Sequence, residues 1–169
     1  PAVEVQIMGA IGRMLRQLGI YNEALEIHAE ILNRHDNFLQ SAPLARAQAL
    51  FDRAYIALET GKTRQAARLP SESLALRESL LDAPHPTIAD SLRELGFVAL
   101  MNDEKDKAER LLQRAAQMYL AMGEEYLVPW TGTRMDLGAV LRREYRYAEA
   151  AEICSEILQV QREVHGDEH

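Results

Sequence analysis

Apolar residues return along this chain in a helical rhythm, and the rhythm itself repeats every 42 residues. Four alanines mark the phase: Ala24, Ala66, Ala108 and Ala150. Three residues on stand Ile27, Leu69, Leu111 and Ile153. Seven and eight residues on stand Ile31-Leu32, Ser73-Leu74, Ala115-Ala116 and Ile157-Leu158. Such offsets trace one face of a helix. The register also runs backwards. Twelve residues before each alanine stand Gly12, Ala54, Gly96 and Gly138; ten before stand Met14, Ile56, Val98 and Val140. A second amphipathic helix therefore precedes the first, and its small residues let the two backbones come close. Gly19 and Gly61 fall between the two, where a tight turn needs a positive φ. Asp103 and Tyr145 hold the same place in the later copies.

The unit is thus an A helix, a short turn, a B helix and a longer turn, four times over, in an all-α fold. The predicted A/B pairs are 3–18 with 21–34, 43–60 with 63–81, 86–102 with 105–122, and 129–144 with 147–165. The repeats span 1–42, 43–84, 85–126 and 127–169. Pro86 and Pro129 open the third and fourth A helices, where a missing N–H costs nothing, and Gly166 ends the last B helix. The predicted packing faces are Met8, Ile11, Gly12 and Leu15 in the first repeat, and Leu92, Leu95, Gly96 and Ala99 in the third. Two residues conflict with the pattern. Pro70 lies inside the second B helix, which predicts a kink or break near 66–69. Arg53 takes a packing position held by Ile11, Leu95 and Leu137 elsewhere, so it should snorkel or pair with Asp52 or Glu59. One unit cannot bury its own apolar face; stacked units build a continuous core.

Composition narrows the function. The net charge is −7, which lacks the electrostatic footprint of a general nucleic-acid binder. No apolar run reaches the length of a membrane span, so no membrane partner is expected. The single cysteine, Cys154, allows no internal disulfide and fits a reducing, cytoplasmic setting; its register is that of a small core residue. No glycine-rich phosphate loop, nucleophile elbow or paired metal motif occurs, so no catalytic residue, cofactor or metal site is expected. His165 and His169 are four apart, but Gly166 between them interrupts a helix and no third ligand is evident.

The runs Leu95-Gly96-Phe97-Val98 to Lys105-Asp106-Lys107-Ala108-Glu109, and Leu137-Gly138-Ala139-Val140 to Tyr147-Ala148-Glu149-Ala150, resemble tetratricopeptide repeats. With the 42-residue period, His85-Pro86 and Gly166-Asp167-Glu168-His169, the chain looks like the kinesin-light-chain type, and the array is expected to continue beyond the C-terminus. The resemblance implies a right-handed α–α superhelix and an adaptor role, in larger regulatory proteins that include bacterial ones. It also implies a concave groove, lined by A helices, that takes a protein or peptide.

Carried over position by position, the groove residues are Arg13, Arg16, Gln48, Phe51, Tyr55, Asp90, Arg93, Phe97, Met135, Arg142 and Arg143. Aromatic and arginine side chains make good anchors, and arginine can hold a carboxylate bidentately. The asparagine of the family's carboxylate-clamp domains is replaced by Arg13, Tyr55, Phe97 and Ala139, so a chaperone-tail clamp is not expected. Alternatives are a small-molecule-sensing domain and a self-association module, the latter a homodimer through a terminal repeat around Ile153, Ile157 and Leu158.

Overall fold

The computed structural model describes residues 1–61 and 68–165. Among them every regular element is helical: α1 (Ala2–Gln17), α2 (Tyr21–Arg34), α3 (Asp36–Ser41), α4 (Pro43–Glu59), α5 (Leu69–Leu80), α6 (Pro86–Met101), α7 (Lys105–Met122), α8 (Leu127–Arg143) and α9 (Tyr147–His165). A 3₁₀ turn, Glu124–Tyr126, leads into α8. No helix among the described residues is long and apolar enough to cross a membrane.

The four turns between A and B helices share one backbone conformation. Gly19, Gly61, Asp103 and Tyr145 have φ of 76°, 71°, 60° and 62°. Three of these turns close alike: Ile20, Glu104 and Arg146 each donate an amide back to the fifth residue before it, Leu15, Ala99 and Leu141. The left-handed residue is what lets the chain reverse and still satisfy the last carbonyls of the A helix.

The chain divides into two compact units, Pro1–Leu81 and Asp82–His169. In the first, α1 packs on α2, α2 on α4 and α4 on α5. Val5, Ile31, Leu39 and Ala49 form a buried cluster, with Met8, Ile27, Leu32, Phe38 and Ala45 against it. In the second, α6 packs on α7, α7 on α8 and α8 on α9. Its cluster joins Leu100, Leu112, Leu137, Val140, Leu141 and Ile153. In each unit a B helix is therefore covered twice, by its own A helix and by the next one.

The alanines of the phase are buried: Ala24, Ala108 and Ala150; Ala66 lies outside the described residues. The small A-helix positions are tight. A Cβ at Gly12 would stand 2.3 Å from His28 Nε2, and one at Gly96 would stand 2.7 Å from Leu112 Cγ. These glycines are places where a B-helix side chain rests on bare A-helix backbone.

Several expectations change. Pro70 is the second residue of α5, where its missing N–H breaks no intrahelical bond. Arg68 before it is a turn residue, and the rest of the expected break, at 66–67, lies outside the described residues. Pro129 does not open α8, which begins two residues earlier at Leu127; proline is still in the first turn, where the amide needs no partner. The expected loop after α2 contains α3, which buries Leu39. Ile11 and Met14 are 43% and 61% exposed, although Ile56, Leu95, Val98, Leu137 and Val140 in their register are buried. Cys154 is exposed, whereas His28, Pro70 and Leu112 in its register are buried. For α2, α4, α7 and α8 the difference has a cause: each packs between two other helices, whereas among the described residues α1 packs chiefly on α2 and α9 on α8.

Candidate functional site

In the first unit, five of the expected groove residues sit together on α1 and α4. Arg13 donates Nη1 to Asp52 Oδ2 at 2.8 Å. Gln48 donates Nε2 to Asp52 Oδ1 at 2.8 Å, and its Oε1 accepts from Arg77 Nη2 at 2.8 Å. The Arg77 guanidinium lies 4.7 Å from the Phe51 ring centroid, and that of Arg16 lies 4.3 Å from the Tyr55 centroid. Both aromatics are thus half-buried under cations rather than open. Asp52 and Arg77 are themselves buried, and buried charge is tolerated here because it is paired and hydrogen-bonded. Asp52 is engaged by Arg13 and Gln48. Arg53, which the sequence paired with Asp52 or Glu59, lines an open recess of about 490 Å³ with Arg46, Asp36 and Glu72. There Arg46 holds Asp36 and Glu72 at 3.2 and 3.1 Å.

The second unit is built differently. Arg93 donates Nε to Asp136 Oδ2 at 2.7 Å, tying α6 to α8. Gly132 lies under this guanidinium, with Nη2 3.0 Å from where a Cβ would be. At the other end Arg143 donates to the Leu100 carbonyl at 3.1 Å. Asp90 accepts from the Tyr119 hydroxyl at 2.5 Å; burial and this carboxylate push the phenol's pKa well up. Phe97 is 42% exposed, Met101 52% and Met135 64%. Arg142 is exposed as well. Phe97 and Met101 lie one turn apart on α6 and Met135 lies on α8, and two cross-helix ties join these helices.

Two features were missed from sequence. Arg77 and Tyr119 are one period apart, as are Gln48 and Asp90; Arg77 donates to Gln48 and Tyr119 to Asp90, each bond closing a 29-residue B-to-A tether. The polar column at that spacing is the signal that would have found it. The second is that Asp52 and Asp136 each take an arginine from the preceding A helix of their own unit, so Arg13 and Arg93 already hold internal carboxylates. Replacing Asp52 by alanine is expected to cost roughly 1–3 kcal/mol of stability, because it takes the acceptor from the half-buried Arg13 and Gln48 donors; urea unfolding would read this directly.

Among the described residues no three His, Cys, Asp or Glu side chains stand close enough to hold a metal; His169 lies outside them.

Residues 130–169 match the family model of the tetratricopeptide repeat. The whole-chain likeness is structural. The fold is the tetratricopeptide-repeat fold. Nearly identical repeats of a kinesin-light-chain-type protein from Podosopora anserina superpose with a TM-score of 0.85 at 19% identity, covering 98% of this chain and 78% of that one. BtubC from P. vanneervenii gives 0.87 at 18% identity, covering 98% and 66%. MamA from Desulfovibrio magneticus RS-1 gives 0.70 at 17%, covering 94% and 76%. No curated protein matches the chain in sequence. At these identities the likeness is one of fold. Tetratricopeptide repeats generally mediate protein interactions and are typically non-catalytic scaffolds.

Proposed function

We propose that the chain is one array of four repeats, 1–42, 43–84, 85–126 and 127–169, serving as a non-catalytic scaffold that binds a protein or peptide along its A helices. The observation that carries this reading is the exposure of Phe97, Met101 and Met135. These three large apolar side chains, at 42–64% exposure, lie on helices tied by Arg93–Asp136 and Arg143–Leu100. Fixed helices with exposed aromatic and methionine side chains are pre-organised for an apolar anchor. The first unit contributes differently: its arginines are paired and its aromatics covered, so its face recognises polar groups by hydrogen bonding. Its location in the cytoplasm and a role in signalling belong to the same proposal.

Peptides selected from a displayed random library are expected to carry an aromatic or aliphatic anchor. Phe97→Ala with Met135→Ala is expected to weaken their binding by roughly tenfold or more, while Phe51→Ala changes it less. Equal binding by the double variant, measured by calorimetry, would sink the reading. A second reading, self-association through a terminal repeat, is favoured by the apolar stripe on α1.

A further inference from the structure

The recess beside Arg53 is walled by α2, α3, α4 and α5, all within the first unit. From α4 it takes Arg46, Leu50 and Arg53. Their spacing of four and three puts them on one side of that helix. Gln48, Asp52 and Tyr55 lie about 180° round the axis, so the recess and the Arg13–Asp52–Gln48 network occupy opposite faces of α4.

The 42-residue register shows what is unusual here. Where α4 has Arg46, α6 and α8 have Ile88 and Trp130; where it has Arg53, they have Leu95 and Leu137. All four of those side chains are buried. Two arginines thus stand in place of two core side chains, beside an open volume of about 490 Å³. That lies within the roughly 300–1,000 Å³ of small-ligand pockets.

The charges around it are divided. At one corner Arg46 bonds both Asp36 and Glu72, two carboxylates to one guanidinium, which leaves a negative surplus. Both Arg46 bonds to Glu72 end on Oε1, at 3.3 and 3.1 Å, so Oε2 has no partner among the described residues. Asp36 Oδ2 already accepts from Gln40 at 2.7 Å. At the other corner Arg53 has no hydrogen bond or ion pair among the described residues. Leu32, Leu50 and Leu69 line the same space. Seven residues, about 10 Å along the helix axis, separate Arg46 from Arg53. An extended chain covers about 3.3–3.6 Å per residue, so two or three residues bridge the corners. A single amino acid, with both charges on one carbon, does not.

We infer that this recess binds a peptide of two or three residues with free ends. Its carboxylate sits on Arg53, its ammonium group on Glu72 Oε2, and its apolar side chains against Leu32, Leu50 and Leu69. The site is separate from the scaffold face, which uses other residues.

The test uses alanyl-leucyl-alanine with free ends, its C-terminal amide and its N-acetyl form, each titrated into the whole chain and followed by NMR. The free tripeptide is expected to bind with a Kd below about 1 mM and to shift the Arg53 Nε–H signal. Each capped form loses one charge-assisted hydrogen bond and is expected to bind roughly tenfold more weakly or worse. Arg53→Leu installs the side chain that α6 and α8 use at this register; it should take the acid and the amide alike. Glu72→Gln should take the free and acetylated forms alike. Neither position is buried, and an unchanged thermal melt confirms the fold. Phe97→Ala with Met135→Ala is expected to leave tripeptide binding as it was, since those side chains belong to the second unit. A wild type that binds no tighter than roughly 10 mM, or that takes either capped form as well as the free one, overturns the assignment.

Discussion

Leu112→Ala is expected to lower the unfolding free energy by roughly 2–5 kcal/mol, the range for a buried leucine truncated to alanine. Leu112 is fully buried and lies at the centre of the second unit's cluster, between the Gly96 backbone and Leu137 and Val140. Truncation removes its own transfer energy and leaves a void that α6, α7 and α8 cannot all close, because each is held by other contacts. Gly96→Ala tests the opposite error. Its new methyl would meet Leu112 Cγ at 2.7 Å and Cδ2 at 2.9 Å, and overpacking of this kind costs roughly 1–3 kcal/mol. The two effects share one space, so they should not add. With both changes, the alanine at position 96 partly fills what Leu112 vacates, and the double variant is expected to be more stable than the sum of the singles by roughly 1 kcal/mol. Urea unfolding of the four proteins gives the cycle. Simple additivity would mean that Gly96 and Leu112 do not meet as described.

Acidification is expected to weaken the first unit through His28. This imidazole is fully buried, and neither ring nitrogen has a hydrogen-bond partner. Burial holds its pKa below the ordinary value near 6.5; Asp52 opposes the shift, while Arg13, Arg16 and Arg53 add to it. The unfolded chain binds a proton at a pH where the folded chain does not. Stability from the neutral ring is therefore complete above about 6.5 and is lost as pH falls below it, at about 1.4 kcal/mol per pH unit, until the folded-state value is reached. His28→Leu, the residue that α7 uses in this register, removes the titration. The stability difference between variant and wild type should grow from pH 7.5 to pH 5 in the variant's favour. A difference that stays flat with pH would contradict the assignment.

How much was legible in the sequence differs by feature, for physical reasons. The period, the helix pairs and the four turns could be read because burial and backbone geometry act on every repeat alike. Helix α3 was missed because it is six residues long and occurs in one repeat only, leaving no periodic trace. Cys154 and Ile11 were misjudged because register reports where a residue faces, not whether another helix is there to cover it. The candidate site was partly legible: the A-helix register brought Arg13, Gln48, Phe51 and Tyr55 to one region of α1 and α4. It could not show that Asp52 and Asp136 had already captured the arginines, since ion pairing depends on rotamers and on partners about one period away. Nor could it separate open Phe97 from covered Phe51, because the covering group, Arg77, comes from a B helix.

The four interhelical turns bear on how such a chain tolerates change. Gly19 and Gly61 adopt their positive φ freely, but Asp103 and the largely exposed Tyr145 hold nearly the same angle with a side chain attached. Left-handed backbone disfavours a β-carbon by about 1–2 kcal/mol, so in those two repeats the bend is imposed by the packed helices on either side. What descends unchanged from copy to copy is an angle rather than a residue. A consensus drawn from letters alone would record that position as variable, when its backbone is left-handed in all four copies.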